Sequence, residues 1–193
     1  MNTSVPNAFA TGRSPKKAVV AVTTGLMRKL DQGELEAVLA HELSHVKNRD
    51  MAVLTIASFI STLAFYIVRY SLYFGGGNRK NSNGCLIAIW IVSIIVWIVS
   101  FLLIRALSRY REFAADRGSA MITGQPTQLI SALRKLSGTM ANVPTEDLRK
   151  VEGMNAFFII PAISGSLMNL FSTHPSMEKR IAALEKIQRE IEY

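Results

Sequence analysis

The sequence predicts a mainly α, integral-membrane chain in which an aqueous domain with a small strand region is interrupted by a two-helix transmembrane hairpin. Three observations carry that prediction. Two uncharged apolar runs stand close together, at 51–68 and 85–104. The segments outside them read as mostly helical, with one short Val/Ala/Thr run. The 193 residues are 49% apolar and 19% charged, and combine a positive mean hydropathy of +0.23 with a net charge of +8. Soluble basic proteins tend to be polar, so a basic and greasy chain points to a membrane before nucleic acid. The length suits one domain, or at most two. The composition excludes disorder, collagen and a cysteine-rich scaffold. Cys85 is the sole cysteine, so neither an internal disulfide nor a cysteine-based metal site can form.

The run Cys85–Ile104 has 20 residues without charge, Gly or Pro and carries two Trp. At the helical rise it measures about 30 Å, the thickness of a bilayer's hydrocarbon core. Met51–Val68 is 18 residues long, also uncharged, and closes on Arg69 and Tyr70. The spans are therefore placed at about 51–70 and 85–104. The polar stretch Gly75–Gly84 between them suits a turn in water. A hairpin returns the chain to its starting side, so residues 1–50 and 105–193 share one compartment. Of 22 Lys and Arg, only Arg69, Arg79 and Lys80 fall outside those two parts, leaving 19 within them. Lys47, Arg49, Arg105, Arg109 and Arg111 crowd the boundary, which by the positive-inside rule makes that side cytoplasmic. Residues 1–13 are polar and do not read as a signal peptide.

Within the aqueous part, Lys16–Leu26 reads as a strand that ends in Thr-Gly. Asp31-Gln-Gly-Glu34 then has the form of a capping box, opening a helix to about Asp50. Further helices are expected at Ser108–Thr123, Pro126–Ser137 and Pro175–Ile191. The 1–50 and 105–193 parts are thus two pieces of one domain around the 51–104 hairpin.

The chemistry lies in His41-Glu42-Leu43-Ser44-His45. Histidines four residues apart leave one face of a helix, so both imidazoles can reach one metal ion. The Glu between them can take a proton from a water at that point. On the helical wheel Leu35, Val38, Leu39, Leu43 and Val46 form the apolar arc, with Glu42 inside it and the two His along its edge. A carboxylate on a buried face is costly without a partner, which argues against an ordinary solvated helix.

A catalytic zinc site takes three protein ligands and keeps one position open. His174 and the remaining Glu residues are candidates for the third ligand, and Arg111-Glu112-Phe-Ala-Ala-Asp116 is the best placed. It follows the second span by about 12 Å of helix, and His45 precedes the first by about 9 Å. The hairpin would bring Glu112 and the HELSH turn to similar depth. Asp116 shares a helix face with Glu112 and can accept a hydrogen bond from a ligand imidazole.

HELSH, the apolar hairpin, EFAAD, Asn7-Ala8-Phe9-Ala10 and Ser172-Thr173-His174-Pro175 together resemble the HtpX family of membrane-embedded zinc metalloproteases, relatives of the CAAX prenyl endopeptidases. The resemblance covers nearly the whole chain. It implies a zincin-like catalytic domain, one Zn2+ held by His41, His45 and Glu112, and Glu42 as general base. It matches Asp116 to the family's EFxAD aspartate and puts NAFA near the active site. It also implies action on membrane proteins, misfolded ones in particular, in stress-responsive quality control at the inner (cell) membrane. Family members carry a further pair of apolar spans ahead of NAFA, where this sequence has six residues, so the chain is expected to be a fragment or a short form.

Thr173-His174-Pro175 reads as a helix start with Pro at the first helical position. His174 either caps that helix or donates to the oxyanion of a tetrahedral intermediate, and the resemblance favours the second. Arg180 can line the same cleft, but reads first as a solvated helix residue. Met154–Phe171 is apolar yet interrupted by Pro161 and Gly165, and reads as a cleft-lining or membrane-surface segment and not a third span.

The expectation is a membrane-anchored zinc endopeptidase whose partners are membrane-protein or peptide substrates and the lipid bilayer. Oligomeric state stays open, and no groove-reading element supports nucleic acid. Two alternatives stand beside it. An intramembrane protease of the site-2 type also uses HExxH, but within an apolar span, whereas Glu34, Glu36, Lys47, Arg49 and Asp50 surround this one. A non-catalytic adaptor with a structural metal would have no use for Glu42.

Overall fold

The computed structural model describes residues 2–12, 14–74, 82–140 and 175–192. Its contacts group the chain into two units, Met1–Met51 with Ser108–Tyr193, and Ala52–Leu107.

The first unit opens with strand β1 (Ala8–Thr11), antiparallel to β2 (Val19–Val22), with Ala8 opposite Val22 and Thr11 opposite Val19. Gly12 turns the chain between them at φ 146°, and a Cβ there would lie 2.5 Å from the Lys17 carbonyl oxygen. The strand expected over Lys16–Leu26 resolves into three pieces. A 3-10 turn covers Pro15–Lys17, β2 follows, and helix α1 (Thr24–Lys29) takes the end. Thr23 is the reason for the break. Its Oγ1 accepts from the N–H of Leu26, capping α1, and from the N–H of Asn7, tying that cap to the start of β1.

Helix α2 (Gln32–Lys47) begins with a complete capping box: the Glu34 N–H donates to Asp31 Oδ1 and the Asp31 N–H to Glu34 Oε2. It stops short of the expected Asp50 because Asn48 closes it and Arg49 turns left-handed, at φ 54°. Its buried face also differs from the expected arc. Ala37, Val38, Ala40, His41 and Ser44 point inward, while Leu43 is 50% exposed. The small residues make room for a neighbouring helix. A Cβ on Gly118 would lie 2.3 Å from Ser44 Oγ, and Ser119 Oγ donates to the Ala37 carbonyl at 2.7 Å.

That neighbour is the C-terminal part of α4 (Ser82–Thr123), a single helix of 42 residues. The helix expected at Ser108–Thr123 is therefore the continuation of the second apolar run. No Gly or Pro stands between Cys85 and Arg117 to stop it. Helices α5 (Pro126–Met140) and α6 (Met177–Glu192) complete the unit. Leu129, Leu133 and Leu136 of α5 and Leu184 and Ile187 of α6 close the core over Leu26, Ala37, Val38 and Ala120. The start of α6 corrects the expected one. Ser176, not Pro175, heads the helix, its carbonyl accepting from the N–H groups of Lys179 and Arg180.

In the second unit, α3 (Asp50–Phe74, 25 residues) and the first part of α4 are the two described helices long and apolar enough to cross a membrane. Their large side chains stay uncovered, among them Phe59, Ile67, Trp90 and Leu103, as suits surfaces solvated by lipid. Of the expected turn Gly75–Gly84, Ser82–Gly84 are already helical, and 75–81 lie outside the described residues. His174 and Met154–Phe171 also lie outside them.

Candidate metal centre

Helix α2 supplies two imidazoles one turn apart, and α4 supplies two carboxylates one turn apart on the face turned toward them. His41, His45 and Glu112 each offer one ligand atom, all within 4.8 Å of one another. His41 Nε2 lies 3.1 Å from His45 Nε2 and 3.7 Å from Glu112 Oε2, and His45 Nε2 lies 3.6 Å from Glu112 Oε1. Ligands about 2.1 Å from a tetrahedral zinc stand about 3.4 Å apart, so the spacing fits such an ion.

The other ring nitrogens explain why both Nε2 atoms converge. His45 Nδ1 meets Asp50 Oδ2 at 2.5 Å. His41 Nδ1 lies 3.0 Å from Asp116 Oδ1, although its angle falls short of a straight hydrogen bond. Carboxylates only accept, so each Nδ1 carries the proton and each Nε2 presents its lone pair. Two lone pairs 3.1 Å apart repel unless a cation lies at their meeting point. His45 shows the same pull. Burial pushes its imidazole down, but the Asp50 hydrogen bond and the charges of Glu112 and Glu42 outweigh that and hold it above the ordinary histidine value. A proton is drawn to the place where a divalent cation fits.

Glu42 is buried at 6% exposure, and its Oε2 accepts from the Ala10 N–H at 3.1 Å. β1 is thereby tied to the HELSH turn. Burial, reinforced by the nearby Glu112 charge, pushes the Glu42 carboxyl up, and the two histidines only partly oppose it. A raised carboxyl among imidazoles is suited to accepting and returning a proton.

Two residues beside the site were given no contact with its ligands by the sequence. Asp50 is buried between His45 and Arg111, whose Nε lies 2.9 Å from Asp50 Oδ1. As the last charge before an apolar run it read as a boundary residue. Arg180 is not solvated, as its sequence context suggested, but 1% exposed. Its Nε and Nη2 grip Asp116 at 2.8 and 2.6 Å, and its Nη1 lies 3.3 Å from Glu112 Oε2. A signal was present: Arg180 falls on the apolar stripe of α6, with Met177, Ile181, Leu184 and Ile187.

A fold of this kind around HExxH and a distant Glu defines a zincin-like metallopeptidase domain attached to apolar helices. The model of Peptidase family M48 matches residues 1–188, and the chain belongs to that family. It is 77% identical to Protease HtpX homolog 2 of Methanosarcina acetivorans over 194 residues, covering 99% of this chain and 66% of that protein. It is 60% identical to the Protease HtpX homolog of Moorella thermoacetica, covering 98% of this chain and 65% of that protein. The chain thus spans just under two thirds of the length of these curated relatives. In fold it is similar to the crystal structure of S. mikatae Ste24p, with a TM-score of 0.60 at 20% identity, over 94% of this chain and 42% of that one.

Proposed function

We propose that the protein is a membrane-anchored zinc endopeptidase that hydrolyses peptide bonds of membrane proteins, misfolded ones above all, at the cytoplasmic face. The observation that carries this reading is the convergence of His41 Nε2, His45 Nε2 and a Glu112 oxygen, with the Glu42 carboxyl buried beside them. Family membership and the HtpX relatives support the peptidase class. His41, His45 and Glu112 would hold the ion and Asp116 would orient His41. Zinc, when bound, supplies Lewis acidity that makes water a nucleophile near neutral pH and polarises a carbonyl.

The chain's own residues do the rest. Glu42 takes the proton of the attacking water and passes it to the leaving amine. Its raised carboxyl suits the first half of that cycle, when it must take the water's proton and hold it until the amine leaves. On the family resemblance, His174 would hydrogen-bond the carbonyl oxygen as negative charge develops there. Two apolar helices anchor the domain, and the basic residues at their shared end favour the cytoplasmic leaflet. Peptide bonds of membrane proteins exposed at that interface are the substrates this placement favours.

Glu42→Gln tests the reading. The detergent-purified variant should keep one zinc per chain and lose casein cleavage by at least about 100-fold, the scale of general-base catalysis. Retained cleavage, or an unaltered chain that takes up no metal, would overturn it.

A further inference from the structure

We propose that Arg180 is a positioning residue for the metal centre, setting how Glu112 and His41 meet the ion. The inference rests on the reading above and adds a component carried by the C-terminal helix, far in sequence from HELSH and EFAAD.

Arg180 is the largest fully buried side chain of the described residues, and its guanidinium serves two carboxylates at once. Nε and Nη2 form a two-pronged contact with Asp116, and Nη1 reaches Glu112 Oε2. The first contact holds the carboxylate whose Oδ1 faces His41 Nδ1. The second engages the Glu112 oxygen 3.7 Å from His41 Nε2, while Oε1 stays directed at His45 Nε2. One planar cation thereby fixes an imidazole through its aspartate and restrains the glutamate that faces both histidines. Lysine, a point charge with no fork, cannot do both.

Charge alone would require a cation here but not this one. Glu42, Asp50, Glu112 and Asp116 place four carboxylates at the centre against the guanidiniums of Arg111 and Arg180. Among the described residues the acids at the centre outnumber the cations, which suits a divalent ion. Removing Arg180 raises the negative charge around the ion, which by itself tightens metal binding. Losing the fork lets Asp116 and Glu112 repel each other and turn, which loosens it. The sign of the change in affinity therefore separates a positioning role from a mere charge.

The test uses the detergent-purified chain with Arg180→Gln and Arg180→Lys, and zinc affinity measured by chelator competition. Both variants should bind zinc about 10–100-fold more weakly, the range for losing a group that orients a ligand. Their cobalt-substituted forms should show an altered visible spectrum, because Glu112 changes its coordination. At saturating zinc, kcat should fall with KM little changed. Affinity and cobalt spectrum equal to those of the unaltered chain, or tighter binding in the Gln variant, would overturn the proposal. If Arg180→Gln does not fold, Arg180→Lys decides by the same two readouts. The Glu42→Gln variant separates this outcome from the failure of the proposed function, since its cleavage depends on the base while its zinc affinity does not depend on Arg180 being altered. Zinc uptake absent from the unaltered chain overturns both.

Discussion

His45 illustrates how much one neighbour decides. Its Nδ1 and the Asp50 carboxylate are 2.5 Å apart, and Asp50 is itself held by Arg111. A ring fixed by a carboxylate keeps its lone pair on Nε2, faces the other ligands and pays little orientational entropy when an ion binds. Asp50→Asn keeps the shape but removes the charge, and its amide can turn a donor toward Nδ1. Zinc affinity by chelator competition should then fall by about 10–100-fold while the thermal melt changes little. Affinity within twofold of the unaltered chain would show that Asp50 serves only the start of α3.

Among elements, the decisive contact is the close approach of α2 and α4. Ala37 and Ser44 on one helix and Gly118 and Ser119 on the other let the backbones come near enough for Glu112 to reach the two histidines. Gly118→Ala should force them apart, because its Cβ would sit 2.3 Å from Ser44 Oγ and 2.8 Å from Ser44 Cβ. Overpacking of this kind costs about 1–3 kcal/mol, and here it should also reduce bound zinc. Gly138→Ala is the control, since its Cβ would meet nothing within 4 Å. Thermal melts with metal analysis of both variants check the pair. Equal behaviour would show that α2 and α4 have slack between them.

For the whole molecule, the question is which side of the membrane holds the site. The proposed function puts residues 1–50 and 105–193 on the cytoplasmic side, a reading supported by the basic residues beside the two apolar runs. In a Cys85→Ser background, Lys80→Cys should react with an impermeant maleimide in intact cells. Lys16→Cys should react only after permeabilisation. The opposite pattern would put the catalytic part outside.

Local features were legible in the residues alone. The capping box lies within Asp31–Glu34, the two imidazoles share a face because they are four residues apart, and the two helices apolar enough to cross a membrane announce themselves by length and lack of charge. Each depends on neighbours in the chain, whose spacing the helix sets. EFAAD was reachable because the two apolar runs implied a return to one side. What the residues alone left undecided depends on distant partners. β1 exists through its pairing with β2, and Leu43 is exposed because α4 packs on the face that carries Ala37 and Ser44. Arg180 is buried because Asp116, 64 positions away, neutralises it, and its place on the apolar stripe of α6 hints at burial without naming that partner. Periodicity and composition determine which side chains share a helix face and which runs suit a membrane. The tertiary structure decides which charges meet, because the cost of burying a charge is met only by the partner that folding brings to it.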